Sequence, residues 1–221
     1  DVVAEQPAPV GRRRYVRGSL SPDGARVALA VVEGGEEDLW VQDLVSGAST
    51  RLTADPPVDT APVWTPDGRA IVFRSDRDGG GLFRIPADGS GAPERLTPPD
   101  GRLLTPYAFT PDGRTLLFTE FRSYCDQGIG ALSLDGTLET RAVLDEPFAE
   151  LRPALSPDGR WLAYQADASG RFEVFVCSYP DVRTHRWQVS SQGGTSPQWS
   201  ADGRELFFHD GQAMAVVRVD P

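Results

Sequence analysis

Few side chains in this chain are of types and spacings that do chemistry. Its two histidines, His185 and His209, fall on different repeats and read as surface or strand-end residues, not as ligands of a shared metal. No Gly-x-Ser-x-Gly segment is present, so no serine has the strand-to-helix elbow that a hydrolase nucleophile needs. Two acidic loops, Glu36-Glu37-Asp38 and Asp76-Arg77-Asp78-Gly79, offer oxygen ligands for calcium. Neither has a calcium-loop spacing, and Arg77 interrupts the second. Five aspartates (Asp23, Asp67, Asp112, Asp158 and Asp202) resemble a set of carboxylates, but each stands directly before a glycine, which marks a turn former. No catalytic residue, cofactor or metal is expected from this inventory.

Binding is better provided for. Arg12, Arg13 and Arg14, with Arg17, flank Tyr15 where the chain enters its first strand. That cluster suits an acidic peptide or anion, or is simply a solvated loop. Arg102, Tyr124 and Phe148 sit in long irregular segments, and aromatic residues mixed with arginine suit protein contacts. These six residues are the candidate partner-binding set.

The elements that must position them follow from one repeated turn. Ser21-Pro22-Asp23-Gly24, Thr65-Pro66-Asp67-Gly68, Thr110-Pro111-Asp112-Gly113, Ser156-Pro157-Asp158-Gly159 and Ser200-Ala201-Asp202-Gly203 start 44, 45, 46 and 44 residues apart. Proline presets φ, aspartate tolerates the next position, and glycine accepts positive φ. A large apolar residue precedes each copy (Leu20, Trp64, Phe109, Leu155, Trp199), and an alternating strand follows. A period in the mid-forties made of four short strands predicts an all-β propeller of four-stranded antiparallel blades. Five blades are expected, at about residues 12–53, 54–97, 98–144, 145–190 and 191–219, within one domain over residues 1–221. The last repeat lacks a fourth strand, and Val2–Gln6 is the expected closing strand beside Ala213–Val219. Trp64, Phe109 and Trp199 are expected between adjacent blades. The segments linking strand two to three, and blade to blade, form the face expected to receive a partner.

Bulk composition narrows the partner. The net charge of −10 disfavours nucleic acid and anionic membrane surfaces. All 22 basic residues are arginine, and there is no asparagine for N-glycosylation. Cys125 and Cys177 are expected as free thiols, with a disulfide the lesser alternative. No apolar run approaches the roughly 18 residues of a membrane span. With neither an initiator methionine nor a signal peptide, residue 1 reads as a processed or excised start.

The apolar-(Ser/Thr)-Pro-Asp-Gly-Arg turns, the endings Arg51-Leu52-Thr53 and Arg95-Leu96-Thr97, and the stretch Phe73–Gly79 together resemble the β-propeller repeats of TolB. Asp202–Phe208 with Met214-Ala215-Val216 is similar to the last blade at the C-terminus of some bacterial Ser/Thr protein kinases. Such propellers usually have six blades. The resemblance implies a bacterial, periplasmic or otherwise extracytoplasmic repeat protein that binds proteins or peptides as a scaffold, without catalysis. A monomer is expected, without membrane insertion. The alternative is an accessory or sensor propeller detached from a prolyl-oligopeptidase-like hydrolase or from a Ser/Thr kinase.

Overall fold

The computed structural model describes residues 14–219 except 55, 124 and 125. The expected strand Val2–Gln6 and the candidates Arg12, Arg13 and Tyr124 lie outside the described residues, as does Cys125.

The five repeats become five antiparallel sheets, the blades of a β-propeller. The chain forms two compact units, one ending at Gly101 and the other starting at Arg102. In the first unit, blade 1 comprises β1 (Arg14–Leu20), β2 (Arg26–Glu33), β3 (Glu36–Asp43) and β4 (Ser49–Arg51). Blade 2 comprises β5 (Asp59–Trp64), β6 (Ala70–Ser75), β7 (Gly81–Pro86) and β8 (Glu94–Arg95), with a 3-10 turn at Arg77–Gly79. In the second unit, blade 3 is β9 (Leu103–Phe109), β10 (Thr115–Ser123), β11 (Asp126–Ser133) and β12 (Thr140–Leu144). Blade 4 is β13 (Glu150–Leu155), β14 (Trp161–Ala166), β15 (Glu173–Ser178) and β16 (Arg186–Gln188). Among the described residues blade 5 has three strands: β17 (Thr195–Trp199), β18 (Glu205–His209) and β19 (Met214–Arg218).

The repeated turn is built as its sequence requires. The Ser or Thr hydroxyl donates to the aspartate and accepts the N–H five residues on, as Ser156 does from Trp161 at 2.9 Å. The aspartate accepts a second N–H two residues later, and the glycines take φ of 65–72°. Hydrogen bonds from these hydroxyls hold the turn carboxyls below the usual range, Asp158 at about 2. These aspartates are turn formers.

The Arg-Leu-Thr endings have a structural role. Thr53 Oγ1 accepts the N–H of Leu39 at 3.0 Å, and Thr97 Oγ1 accepts that of Leu82 at 2.9 Å. Ser190 does the same for Val174 in blade 4, at 2.8 Å. Each hydroxyl thus satisfies a buried strand-three donor that the short fourth strand cannot reach. Arg51 pairs with the buried Asp38 at 2.5 Å, and Arg95 holds the carbonyl of Gly80 at 2.7 Å. Thr97→Val should therefore lower the unfolding free energy by about 1–3 kcal/mol, the usual cost of orphaning a buried donor. Chemical denaturation measures it, and an unchanged midpoint would mean the donor finds another partner.

The cores lie between neighbouring blades. In the first unit Trp64 is 4% exposed and packs with Ala28, Leu39, Val41, Ile71 and Phe83. Its Nε1 donates to the carbonyl of Ser19 at 2.9 Å. In the second unit Trp199 makes the same bond to Ala154 at 3.1 Å and packs on Ala163, Val176 and Leu206. The expected interblade position holds for both tryptophans, although Trp199 is only half-buried, as is Phe109. Leu20, at the equivalent place in blade 1, is 58% exposed. Among the described residues no helix is long and apolar enough to cross a membrane.

Candidate functional site

The sequence candidates divide once placed. Arg14 is exposed at the start of β1. Arg102 is half-buried and donates to Thr140 Oγ1 at 3.2 Å. It lines a cavity of about 140 Å³ with Glu120, Arg122, Thr140 and Asp145. Arg102, Glu120, Arg122 and Asp145 gather at one end of blade 3, the end of the long connections, while Thr140 opens β12 at the other. Arg122 ties that end together, pairing with Asp126 at 2.8 Å and with Asp145. Phe148 is only partly displayed to solvent. It is half-buried against the core between blades 3 and 4, with the Arg186 guanidinium 5.7 Å from its ring centre.

The second of the acidic loops weighed for calcium is internally engaged. Asp76 accepts the N–H of Val58 at 2.8 Å, and Arg77 pairs with the fully buried Asp59 at 2.6 Å. Among the described residues no cluster of three or more His, Cys, Asp or Glu is placed to hold a metal. His185 stacks on Trp187 at 5.5 Å, and His209 Nδ1 accepts the N–H of Gly211 at 3.0 Å. Cys177 is a free, buried thiol whose pKa burial pushes up to about 12, so it carries no thiolate nucleophile near neutrality.

A second site, larger than the cavity beside Arg102, lies along the inner strands of the second unit, where sequence reasoning named no binding residue. A cavity of about 420 Å³ is lined by Tyr107 of β9, by Arg152–Leu155 and Pro157 around β13, and by Ser196–Ala201 around β17. It reaches the Pro-Asp-Gly turns, at the opposite end of the strands from Arg102. Its size falls within the roughly 300–1,000 Å³ of typical ligand clefts.

A repeated bulge shapes its wall. Arg152 and Ser196 have φ of 54° and 56°, each just before a proline, and the strand register shifts there. Their N–H groups are taken by neighbouring blades, Arg152 by Thr119 Oγ1 at 3.3 Å and Ser196 by Gln165 Oε1 at 2.9 Å. A bulge re-aims the side chain it carries, and here both side chains face the cavity. Ala61 has the same bulge in blade 2, with φ of 53° and a buried side chain, so the bulge itself belongs to the fold. What distinguishes blades 4 and 5 is the residue placed on it. Only comparison of the residue four places before each turn (Arg17, Ala61, Pro106, Arg152, Ser196) would have drawn attention to Arg152 from the sequence.

Residues 10–136 match the model of the TolB beta propeller domain. The chain belongs to the TolB β-propeller family. The uncharacterized peptidase YuxL of Bacillus subtilis is 29% identical over 204 residues, covering 71% of this chain and 31% of its own length. The Tol-Pal system protein TolB of Anaeromyxobacter dehalogenans is 44% identical over 57 residues, 25% of this chain and 13% of that protein. The crystal structure of TolB from Acinetobacter baumannii superposes with a TM-score of 0.77 at 20% identity, over 94% of this chain and 52% of that one. At that identity the likeness is one of fold. The chain thus spans about a third of the peptidase and a smaller share of the curated TolB.

Proposed function

We propose that this TolB-type propeller is a non-enzymatic binding module, one domain over residues 1–221, that receives a protein or peptide partner along the inner strands of its second unit. The observation that carries the reading is the cavity of about 420 Å³, whose walls come from three successive blades and place a guanidinium, a phenol, a hydroxyl and an amide around one space. Rigid strands hold these groups, so a ligand there does not have to order them. Extended peptides suit such a space because they present backbone and alternate side chains together. No nucleic acid is expected at so acidic a protein, and an extracytoplasmic setting accords with the Tol-Pal name of its relatives. Arg102, with the other long-connection residues, remains the candidate for secondary contacts at the opposite end.

A second reading is favoured by one observation, the match to the YuxL peptidase over 71% of this chain. On that reading the chain is the propeller of a longer hydrolase, and the cavity admits peptide substrates to a catalytic domain elsewhere in the polypeptide.

Panning a displayed library of random peptides against the chain tests the first reading. Enriched peptides should lose binding when Gln198 is replaced by a bulky Trp, and keep it in Arg102→Ala. The converse pattern would move the partner site to the long-connection end.

A further inference from the structure

We infer that the inner-strand cavity reads a carboxylate, held by Arg152; this rests on the peptide-binding reading above. The first ground is charge. Arg152 is the one charged residue among those lining the cavity, in a chain of net charge −10. Among the described residues its side chain makes a single hydrogen bond, from Nη1 to Ser196 Oγ at 3.0 Å, and no ion pair. Three arginines of the second unit are by contrast ion-paired: Arg122 with Asp126 and Asp145, Arg160 with Asp158, and Arg171 with Glu173. Arg152 carries no such pair and lines the inner-strand cavity.

The second ground is positioning. The bulge fixes the backbone of Arg152 against Thr119, and Ser196 holds one edge of the guanidinium. A guanidinium is a planar fork that matches the two oxygens of a carboxylate, and a fork already held loses little freedom on binding. Ser196 also offers its hydroxyl to the same space, and Gln198 is exposed beside it. The partner is therefore a peptide bearing either an acidic side chain or a free C-terminus, two sources of the same group.

The test uses three labelled pentapeptides of glycine and alanine. One is amidated with a central glutamate, one is amidated with a central glutamine, and one has the glutamine with a free C-terminus. The account expects at least one carboxylate peptide to bind about tenfold or more tightly than the neutral one. Whichever does so identifies the source. Arg152→Met should abolish the preference without moving the melting temperature, and Arg152→Lys should keep only part of it. If Arg152→Met does not fold, Ser196→Ala should still weaken the preference several-fold, and raising salt from roughly 50 to 500 mM should erode it in the wild type. Equal binding of all three peptides overturns the carboxylate reading and leaves peptide binding standing, as does a preference that survives Arg152→Met. No binding of any pentapeptide overturns it too, and only failure of the panning experiment then removes the peptide-binding reading as well.

Discussion

Trp64→Ala should lower the unfolding free energy by about 3–5 kcal/mol, the range for emptying a large aromatic site. Trp64 is 4% exposed and touches both blades of the first unit. Three contributions are lost together. The ring leaves a cavity among Ala28, Val41, Ile71 and Phe83, the Ser19 carbonyl loses its donor, and Arg26 loses the ring face 4.6 Å beneath its guanidinium. Trp64→Phe keeps most of the packing and should cost about half as much. Trp199→Ala, whose ring is half-buried, should fall between the two. Urea denaturation followed by circular dichroism measures all three. A loss below about 1 kcal/mol in Trp64→Ala would contradict the packing described here.

The second large effect depends on pH. Glu150 is fully buried at the start of β13. Its Oε2 accepts the N–H of Glu146 at 3.2 Å, while Oε1 has no hydrogen-bond partner among the described residues. Burial raises its pKa from 4.5 to about 7, with the Glu146 N–H and Arg186 opposing and the carboxylates of Glu146 and Asp145 reinforcing. The folded protein therefore holds this proton more tightly than the unfolded chain does. Stability from this group is fully present below about pH 4.5 and is lost as pH rises through about 7. At roughly 1.4 kcal/mol per pKa unit the loss has an upper limit of about 3 kcal/mol. Glu150→Gln mimics the protonated form and keeps an oxygen for the Glu146 N–H. Relative to wild type, this variant should gain about 2–3 kcal/mol between pH 5 and pH 8. Parallel stability curves for the two proteins would show that Glu150 ionises without penalty.

The blades were legible from the sequence because their signal is local. Each Ser/Thr-Pro-Asp-Gly turn makes its hydrogen bonds within five residues, so residue types at fixed offsets suffice to recognise it. The Arg-Leu-Thr endings were visible as a motif but not as a device, since Thr53 and Thr97 act on donors 14 and 15 residues back. Phe148 read as a displayed aromatic in a loop. The connection it sits in is drawn inward by Glu150 and by Asp167, which accepts the Ala149 N–H at 2.8 Å. Leu20 and Trp64 looked equivalent by position, yet only the tryptophan has a preceding blade to pack on within its unit. Arg152 was hidden for a different reason. A strand read as regular alternation assigns its side chain by parity, whereas the bulge at Leu151/Ala154 resets that parity and turns Arg152 into the cavity.

Amide hydrogen exchange, with and without the tightest peptide recovered by panning, tests the central claim most directly. The account predicts added protection concentrated at the inner strands of the second unit, around Tyr107, Arg152–Leu155 and Ser196–Trp199. Protection confined to the long-connection end around Arg102, Arg122 and Asp145, with the inner strands unchanged, would contradict it.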